Sequence, residues 1–236
     1  MHSNSYTLVY AAAISVITAI ILAVTSEGLK PAQEANVALD KKSNILRSVR
    51  IASADRATIE NTYNTKVQEL VVNSAGEELA GVKANAVQMK DEVDKAPAER
   101  QLPLYVFSAD GGAKYYIVPV RGVGLWGPIW GYVAFESDFN TVYGAYFDHK
   151  GETPGLGAEI AEAPFQAQFQ GKKIMSDDNN FVSVHVLKKS DPFEFGDEHR
   201  VDGISGGTIT SRGTDAMLKN CLEPYLAYFN KLKNKQ

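Results

Sequence analysis

The chain has 236 residues, of which 44% are hydrophobic and 22% charged, a composition typical of a globular protein with one sizeable core. A formal net charge of −4 and a pI near 5.6 leave no basic surface, which argues against nucleic-acid binding. The single cysteine, Cys221, excludes an intramolecular disulfide and any multi-cysteine zinc or iron–sulfur site, so we expect no metal centre.

The N-terminal segment is apolar. Residues 7–26 carry no charge, and at about 1.5 Å per residue their 20 positions span roughly the 30 Å of a bilayer core. They predict a transmembrane helix within an anchor over residues 1–30. The alternative is a cleaved signal peptide, which is less favoured because residues 1–5 contain no Lys or Arg and the apolar run exceeds the usual length. The sequence barely encodes the orientation, because the charges of Glu27 and Lys30 nearly cancel.

Beyond the anchor, residues 31–236 predict one α+β domain. Apolar residues recur at helical spacing over residues 31–50 and 53–71, with Ser53 as the N-cap of the second helix. The polar, Gly/Ala-rich residues 73–100 predict an irregular segment. Alternating β-branched and aromatic residues then predict strands at 104–107, 114–121, 131–136, 142–148 and 181–187. Strands in direct succession favour an antiparallel sheet with helices packed on it.

The segment Gly122-Val-Gly-Leu-Trp-Gly127 fits G-x-G-x-x-G after a predicted strand, a spacing typical of dinucleotide binding. Pro128 and a further strand follow it, however, whereas a dinucleotide motif opens a helix. We therefore predict a glycine-rich hairpin with an exposed aromatic residue, Trp126. Ordinary core and turn residues would produce the same pattern.

The loop at residues 149–157 has a Thr-Pro-Gly turn and then Leu156 between two glycines, where the backbone can approach a flat ring closely. His149 and Glu152 could form half of a metal site. No second histidine lies at ligand spacing, so a hydrogen-bonded surface pair is the favoured interpretation.

Residues 202–211 read Asp-Gly-Ile-Ser-Gly-Gly-Thr-Ile-Thr-Ser, a hydroxyl-rich strip bent around a glycine pair. The two glycines can adopt positive φ and leave no Cβ in the way of an incoming group. We expect Ser211 to cap a helix over residues 212–223, which Pro224 then disturbs, and the free amides of that helix would favour a phosphate. A Ser/Thr/Gly turn that only leads into a helix would have the same sequence features.

The strip resembles the flavinylation motif D-x-x-[ST]-G-A-T-x-T of the FMN-binding subunits of ion-pumping respiratory complexes, in which the last threonine holds FMN through a phosphoester with the ribityl phosphate. The resemblance makes Thr210 the acceptor. The other matching positions are Asp202, Ser205, Gly206 and Thr208. Gly207 stands where alanine is usual, a change that removes one methyl and no reacting group.

The attachment needs outside catalysis, because no His or Lys adjoins Thr210 in the strip to activate its hydroxyl. The resemblance implies a separate magnesium-dependent flavin transferase, which moves FMN from FAD onto the motif. Asp202 would belong to the part of the motif that this transferase recognises.

The stretches R-G-x-G-L-W-G and H-x-x-E-T-P-G-L-G, together with the strip, resemble the FMN-binding domain of the C subunit of the sodium-translocating NADH:quinone oxidoreductase. That resemblance implies a single-pass protein of the bacterial inner membrane, with its large domain on the periplasmic side and its FMN-binding region at about residues 100–225. Such a protein relays electrons between partner subunits and has no complete active site of its own. The residues implied to contact the flavin are Leu125, Trp126, Gly127, Glu152, Thr153, Leu156, Gly157 and, to stabilise reduced flavin, Lys188.

Two alternatives stay open. The G subunit of the Rnf electron-transport complex carries a similar motif, although the chain length and the L-W-G-P-I-W-G-Y segment favour the C subunit of the sodium-translocating enzyme. A membrane-anchored domain without flavin, which binds a ligand or scaffolds a complex, belongs to a different class and would be colourless, whereas a flavoprotein is yellow.

Overall fold

The computed structural model describes residues 3–235, and the chain forms two compact units, one up to Lys41 and one from Lys42 onward. The helices are α1 (Asn4–Ser48), α2 (Arg56–Lys66), α3 (Met89–Glu92), α4 (Ala163–Ala167), α5 (Thr208–Leu222) and α6 (Leu226–Lys233). The strands are β1 (Val67–Val72), β2 (Leu102–Ser108), β3 (Lys114–Val123), β4 (Pro128–Phe135), β5 (Val142–His149), β6 (His185–Leu187) and β7 (Arg200–Asp202).

Helix α1 is longer than either helix expected near the N-terminus. Within the described residues it is the one helix long and apolar enough to cross a membrane, with a mean hydropathy of 2.4 over 18 residues, none of them buried. It continues past Pro31 to Ser48, so the separate helix expected over residues 31–50 is the second half of α1. Proline removes one backbone hydrogen bond, but its fixed φ is compatible with helical geometry. The last turns contribute Ile45 and Leu46 to the core of the second unit.

The helix expected over residues 53–71 is shorter and gives way to a strand. Asp55, not Ser53, is its N-cap, because the Asp55 carboxylate accepts a hydrogen bond from the amide of Thr58 at 2.8 Å. Helix α2 ends at Lys66, and the following residues pair antiparallel with β2 as strand β1. The expectation of helix was wrong there because strand pairing outweighs a short apolar repeat at helical spacing.

The main sheet is antiparallel, as predicted. Its strand order, β1-β2-β3-β4-β5, follows the chain. Strands β3 and β4 pair up to Val123 opposite Pro128, so the four residues 124–127 form the loop of a hairpin. This is the predicted glycine-rich hairpin, and Trp126 on it is 67% exposed.

The last expected strand differs from the others. Only His185–Leu187 of the expected residues 181–187 forms a strand, and β6 pairs parallel with β7 in a separate two-stranded sheet. Phe181 instead makes an isolated bridge with Met175. The pairing places Leu187 opposite Asp202, at the start of the hydroxyl-rich strip.

Helices α5 and α6 share a hydrophobic core with the main sheet. The residues that they contribute to this core are Met217, Leu218, Cys221, Leu222, Tyr228 and Phe229. Pro224 lies in a single 3₁₀ turn, Glu223–Tyr225, which separates the two helices, as predicted. Because α5 packs along β3, its N-terminal end lies beside the β3–β4 hairpin.

Candidate functional site

The site lies where three segments distant in sequence meet: the hairpin loop at residues 124–127, the loop at residues 149–157 and the strip that leads into α5. Glu152 joins them. Its Oε1 accepts a hydrogen bond from the backbone amide of Trp126 at 2.8 Å, and its Oε2 accepts one from the Thr210 hydroxyl at 2.6 Å. These segments were expected to share a flavin, but the direct bond between Glu152 and Thr210, which are 58 residues apart, was not predicted.

Helix α5 begins four residues earlier than expected, and this changes the position of Thr210, the expected acceptor. Gly207 is the N-cap, so Thr210 lies in the first helical turn rather than before it. Ser211 is inside the helix and does not cap it. Its hydroxyl instead accepts a hydrogen bond from the amide of Ile204 at 3.0 Å, and this bond holds the strip against the start of the helix.

The first turn of α5 leaves backbone donors available. Gly207 makes no side-chain capping bond, and the first amides of an α-helix have no partner within the helix. Such amides, at the positive end of the helix dipole, bind phosphate. The helix start therefore fits the phosphate of a nucleotide cofactor beside the Thr210 hydroxyl.

Glu152 and Thr210 are both buried, with 5% and 1% of their surfaces exposed. Burial of Glu152 acts to raise the pKa of its carboxyl group, but the hydroxyl of Thr210 and the amides of Trp126 and Leu125 lower that pKa by more, so it lies below its ordinary value. Glu152 is therefore a carboxylate at neutral pH, and a separation of 2.6 Å is typical of a charge-assisted O–H···O⁻ bond.

Two glycines bring α5 against the hairpin. A Cβ at Gly213 would collide with the carbonyl oxygen of Val123, and one at Gly122 would lie 2.7 Å from the Cβ of Met217. With larger residues at these two positions, strand β3 and helix α5 could not approach each other so closely. Gly213 was not among the expected site residues, and no local sequence pattern singles it out.

A third glycine lets the loop at residues 149–157 close over Thr210. A Cβ at Gly157 would collide with Oε2 of Glu152 and would lie 2.5 Å from Oγ1 of Thr210. Gly206, at φ +75°, is exposed but lies next to the same loop, because a Cβ there would be 2.6 Å from the Leu156 side chain. The expected residues Leu156, Gly157 and Gly206 thus lie close together beside Thr210.

Large apolar side chains are exposed on all three segments of the site. They are Leu125 at 50%, Trp126 at 67%, Leu156 at 41% and Ile209 at 55%. Isolated exposed apolar residues are common, but a group on converging loops marks a binding surface. Ile209 was not among the expected residues, because its apolar side chain gives no signal within a hydroxyl-rich motif.

The remaining expected residues lie around this centre. Asp202 and Ser205 are exposed, and Thr208 is half-buried at the helix start. Gly127 closes the hairpin loop, because its carbonyl accepts a hydrogen bond from the amide of Gly124 at 2.8 Å. Thr153 is exposed, and its carbonyl accepts hydrogen bonds from two backbone amides of the turn that follows.

Lys188 lies near the start of the strip but has no bond to Thr210 or Glu152 among the contacts of the described residues. It follows Leu187, whose carbonyl accepts the amide of Gly203 at 2.7 Å. Its side chain is exposed. Its assignment to the reduced flavin stays a prediction.

His149 and Glu152 are hydrogen-bonded, but not as the expected surface pair, because Glu152 is buried and the bond involves its backbone amide. The Nδ1 of His149 accepts the backbone amide of Glu152 at 3.1 Å. Over residues 3–235 no three His, Cys, Asp or Glu side chains are grouped as a metal site requires. The bond to His149 fixes the start of the loop that carries Glu152.

Comparison with known proteins identifies the family. A model of the FMN-binding domain matches residues 124–223, which include all three segments of the site. The C subunit of the Na(+)-translocating NADH-quinone reductase of Haemophilus ducreyi is 34% identical over 248 residues, covering 96% of this chain and 95% of that protein. The C subunit from Vibrio vulnificus strain YJ016 is 35% identical over 215 residues, covering 85% of this chain and 83% of that protein.

A solved structure agrees with these relatives. The crystal structure of the C subunit of the Na(+)-translocating NADH-quinone reductase from Parabacteroides distasonis is 41% identical, with a TM-score of 0.76, and the match covers 85% of this chain and 96% of that one. The predicted α+β fold, with an apolar N-terminal helix and an antiparallel sheet, is confirmed. The chain therefore belongs to the family of C subunits of the Na(+)-translocating NADH-quinone reductase, an oxidoreductase complex, and FMN is the cofactor of its FMN-binding domain.

Proposed function

We propose that this chain relays electrons within a sodium-translocating NADH:quinone reductase through one FMN that is attached to Thr210 by a phosphoester. The observation that carries the proposal is the position of the Thr210 hydroxyl, in the uncapped first turn of α5 and beside both glycine-rich loops. The match of the strip to the flavinylation motif supports Thr210 as the acceptor.

The residues around Thr210 have separate roles in this proposal. The free amides at the start of α5 hold the phosphate, and the exposed side chains of Leu125, Trp126 and Leu156 form apolar surface for the ring. Before attachment, Glu152 fixes the hairpin loop relative to α5 through its bonds to Trp126 and Thr210. Bound FMN supplies the redox chemistry, and the protein supplies its position and surroundings.

Asp202 and Ser205 have a role in maturation. Both are exposed, so a flavin transferase can contact them. Asp202 is held in place through its backbone, because its amide donates to Oε1 of Gln168 at 2.8 Å. Its carboxylate is thus available for recognition by the transferase.

The apolar part of α1 is the membrane anchor in this proposal, and the unit from Lys42 lies on the periplasmic side, in contact with partner subunits. The exposed, uncharged helix surface at residues 7–26 supports insertion, because about 20 apolar residues suffice to span a bilayer. The orientation follows from the family resemblance, because the flanking charges do not determine it.

Of the two functional alternatives, the G subunit of an Rnf complex is less favoured, because the relatives described above are all C subunits of the sodium-translocating reductase. A scaffold without flavin is disfavoured by the match to the FMN-binding domain.

A denaturing gel tests the covalent attachment. The full-length chain, produced together with a flavin transferase, should show a fluorescent band under ultraviolet light after denaturation, because a phosphoester does not depend on the fold. Intact mass should increase by FMN minus one water. Chain produced without the transferase is the control and should be dark, and release of all flavin on denaturation would contradict the proposal.

A further inference from the structure

The acceptor hydroxyl proposed above is covered in the folded chain. Thr210 is 1% exposed, and its Oγ1 is enclosed by the Glu152 carboxylate on one side and the Cα of Gly157 on another. We propose that a flavin transferase can attach FMN only to an open form of this region, and that the Glu152–Thr210 hydrogen bond limits how often that form occurs. This inference rests on the proposed function, because it concerns access to the same acceptor atom.

The attachment chemistry requires the Glu152–Thr210 bond to break. With FAD as the donor, an Oγ1–P bond forms, the pyrophosphate P–O bond breaks, AMP leaves with the electrons of that bond, and the hydroxyl proton is released. The product oxygen has no hydrogen left to donate. An O···O separation of 2.6 Å without a hydrogen is repulsive, and a phosphoester anion beside a buried carboxylate adds like-charge repulsion.

The described contacts indicate where the region can open. The Glu152 end of the loop is held by the amide of Trp126 and by Nδ1 of His149, whereas residues 153–156 are exposed. Thr210 lies in the first turn of α5, and helix ends open more readily than helix centres. The opening that frees Oγ1 is therefore local, with separation of the residue 153–157 loop from the first turn of α5.

The matched variants are Glu152→Gln and Glu159→Gln. Glutamine keeps the size of the side chain and an oxygen that can accept the amide of Trp126, but its bond to the Thr210 hydroxyl carries no charge. Glu159 is in the same part of the chain, and its Oε1 accepts the amide of Gly155 at 3.1 Å, a bond that glutamine retains. Glu159→Gln thus makes the same charge change without altering the contact with Thr210.

A thiol-exchange experiment measures how accessible position 210 is, without any flavin. Thr210→Cys is introduced into full-length protein in detergent that also carries Cys221→Ala, which removes the native thiol. The thiol at position 210 should react with a disulfide reagent roughly a hundredfold more slowly in the folded chain than in urea. A thiol that reacts in the folded chain as fast as in urea overturns the inference.

A labelling experiment tests the same inference on the native threonine. Purified flavin-free protein with Thr210 intact is mixed with the transferase, FAD and Mg²⁺, and the rate of covalent labelling is followed by gel fluorescence. Glu152→Gln should be labelled about tenfold faster than the wild type and Glu159→Gln at the wild-type rate. Labelling of Glu152→Gln at or below the wild-type rate overturns the inference while the assignment of Thr210 stands.

The two experiments separate the inference from the proposed function. If peptide mapping finds no FMN on Thr210 of the wild type, the proposed function fails, and the thiol experiment still decides whether position 210 is covered. Thermal melting of both glutamine variants checks that the chain remains folded, so that faster reaction reflects local and not global opening.

Discussion

Thr208 and Thr210 are two residues apart in the same helical turn but have different surroundings. Thr210 is 1% exposed and bonded to Glu152, whereas Thr208 is half-buried at the helix start. Successive side chains of a helix point in different directions, so only one of the two hydroxyls faces the point where the three segments meet.

Thr210→Ala should abolish covalent FMN, because it removes the proposed acceptor oxygen. Thr208→Ala should reduce labelling only in part, since it alters the motif and leaves the acceptor. In-gel fluorescence of both variants produced with the transferase, with peptide mapping of any product, measures the difference. FMN on Thr208 or Ser205 would show that the acceptor was assigned to the wrong residue.

Glu152 should make the stability of the flavin-free protein depend on pH in acid. Because its pKa in the folded state lies below the ordinary value of 4.5, the stabilisation is present above about pH 4.5 and is lost as the pH falls through the folded-state pKa. Glu152→Gln should be less stable than the wild type at pH 7 and should lose less stability on acidification. Urea unfolding between about pH 3 and pH 7 measures this. Parallel pH dependence in the two proteins would contradict it.

At the level of elements, the site depends on how closely α5 approaches the β3–β4 hairpin. Gly213 allows the helix backbone to contact the carbonyl of Val123, and Gly122 allows β3 to contact Met217. These contacts set the distance between the start of α5 and the hairpin loop, and hence between Thr210 and Trp126.

Gly213→Ala should destabilise the protein by about 1–3 kcal/mol, because the added methyl would collide with the carbonyl of Val123. The sign is informative, since alanine in a helix is normally more stable than glycine by roughly 0.5–1 kcal/mol. Urea unfolding gives the free energy of unfolding. Gly111→Ala, where a Cβ would meet nothing within 4 Å, is the matched control and should be close to neutral. A stabilised Gly213→Ala would mean that the helix does not approach the hairpin so closely.

At the scale of the whole molecule, the chain consists of an apolar helix segment and an FMN-binding unit that begins at Lys42. The end of α1 belongs to the second unit, because Ile45 and Leu46 are buried there. The proposed anchor and the FMN-binding unit therefore share helix α1, so a truncation within this helix can remove core residues of the FMN-binding unit.

Removal of residues 1–30 should yield a soluble domain that still accepts flavin, whereas the full-length protein should need detergent. Removal of residues 1–50 should destabilise that domain strongly, because it deletes the buried Ile45 and Leu46. Solubility, thermal melting and flavin labelling of the two truncations provide the measurement. Release of the full-length protein from membranes by high salt alone would argue against the anchor.

Several features were predictable because they depend on residues close together in sequence. The uncharged run at residues 7–26 determines an apolar helix, and the alternation of β-branched and aromatic residues determines strands β2 to β5. Pro128 after the glycine-rich segment determines a hairpin rather than a dinucleotide motif. The flavinylation motif and the two glycine-rich stretches were sufficient to identify the family and its FMN, which the comparisons confirm.

Other features depended on the tertiary structure. Residues 67–71 have the apolar spacing of a helix but pair with β2, and Thr208 starts α5 because the strip folds back so that Ser211 accepts the amide of Ile204. The contact between Glu152 and Thr210 exists only because the sheet and α5 bring together residues 58 positions apart. The sequence by itself determined the apolar helix, strands β2 to β5 and the motif on which Thr210 is proposed as the acceptor, since those properties are local. Only the tertiary structure decided that the proposed acceptor hydroxyl, on Thr210, is buried against a carboxylate, because burial and long-range bonds depend on how the elements pack.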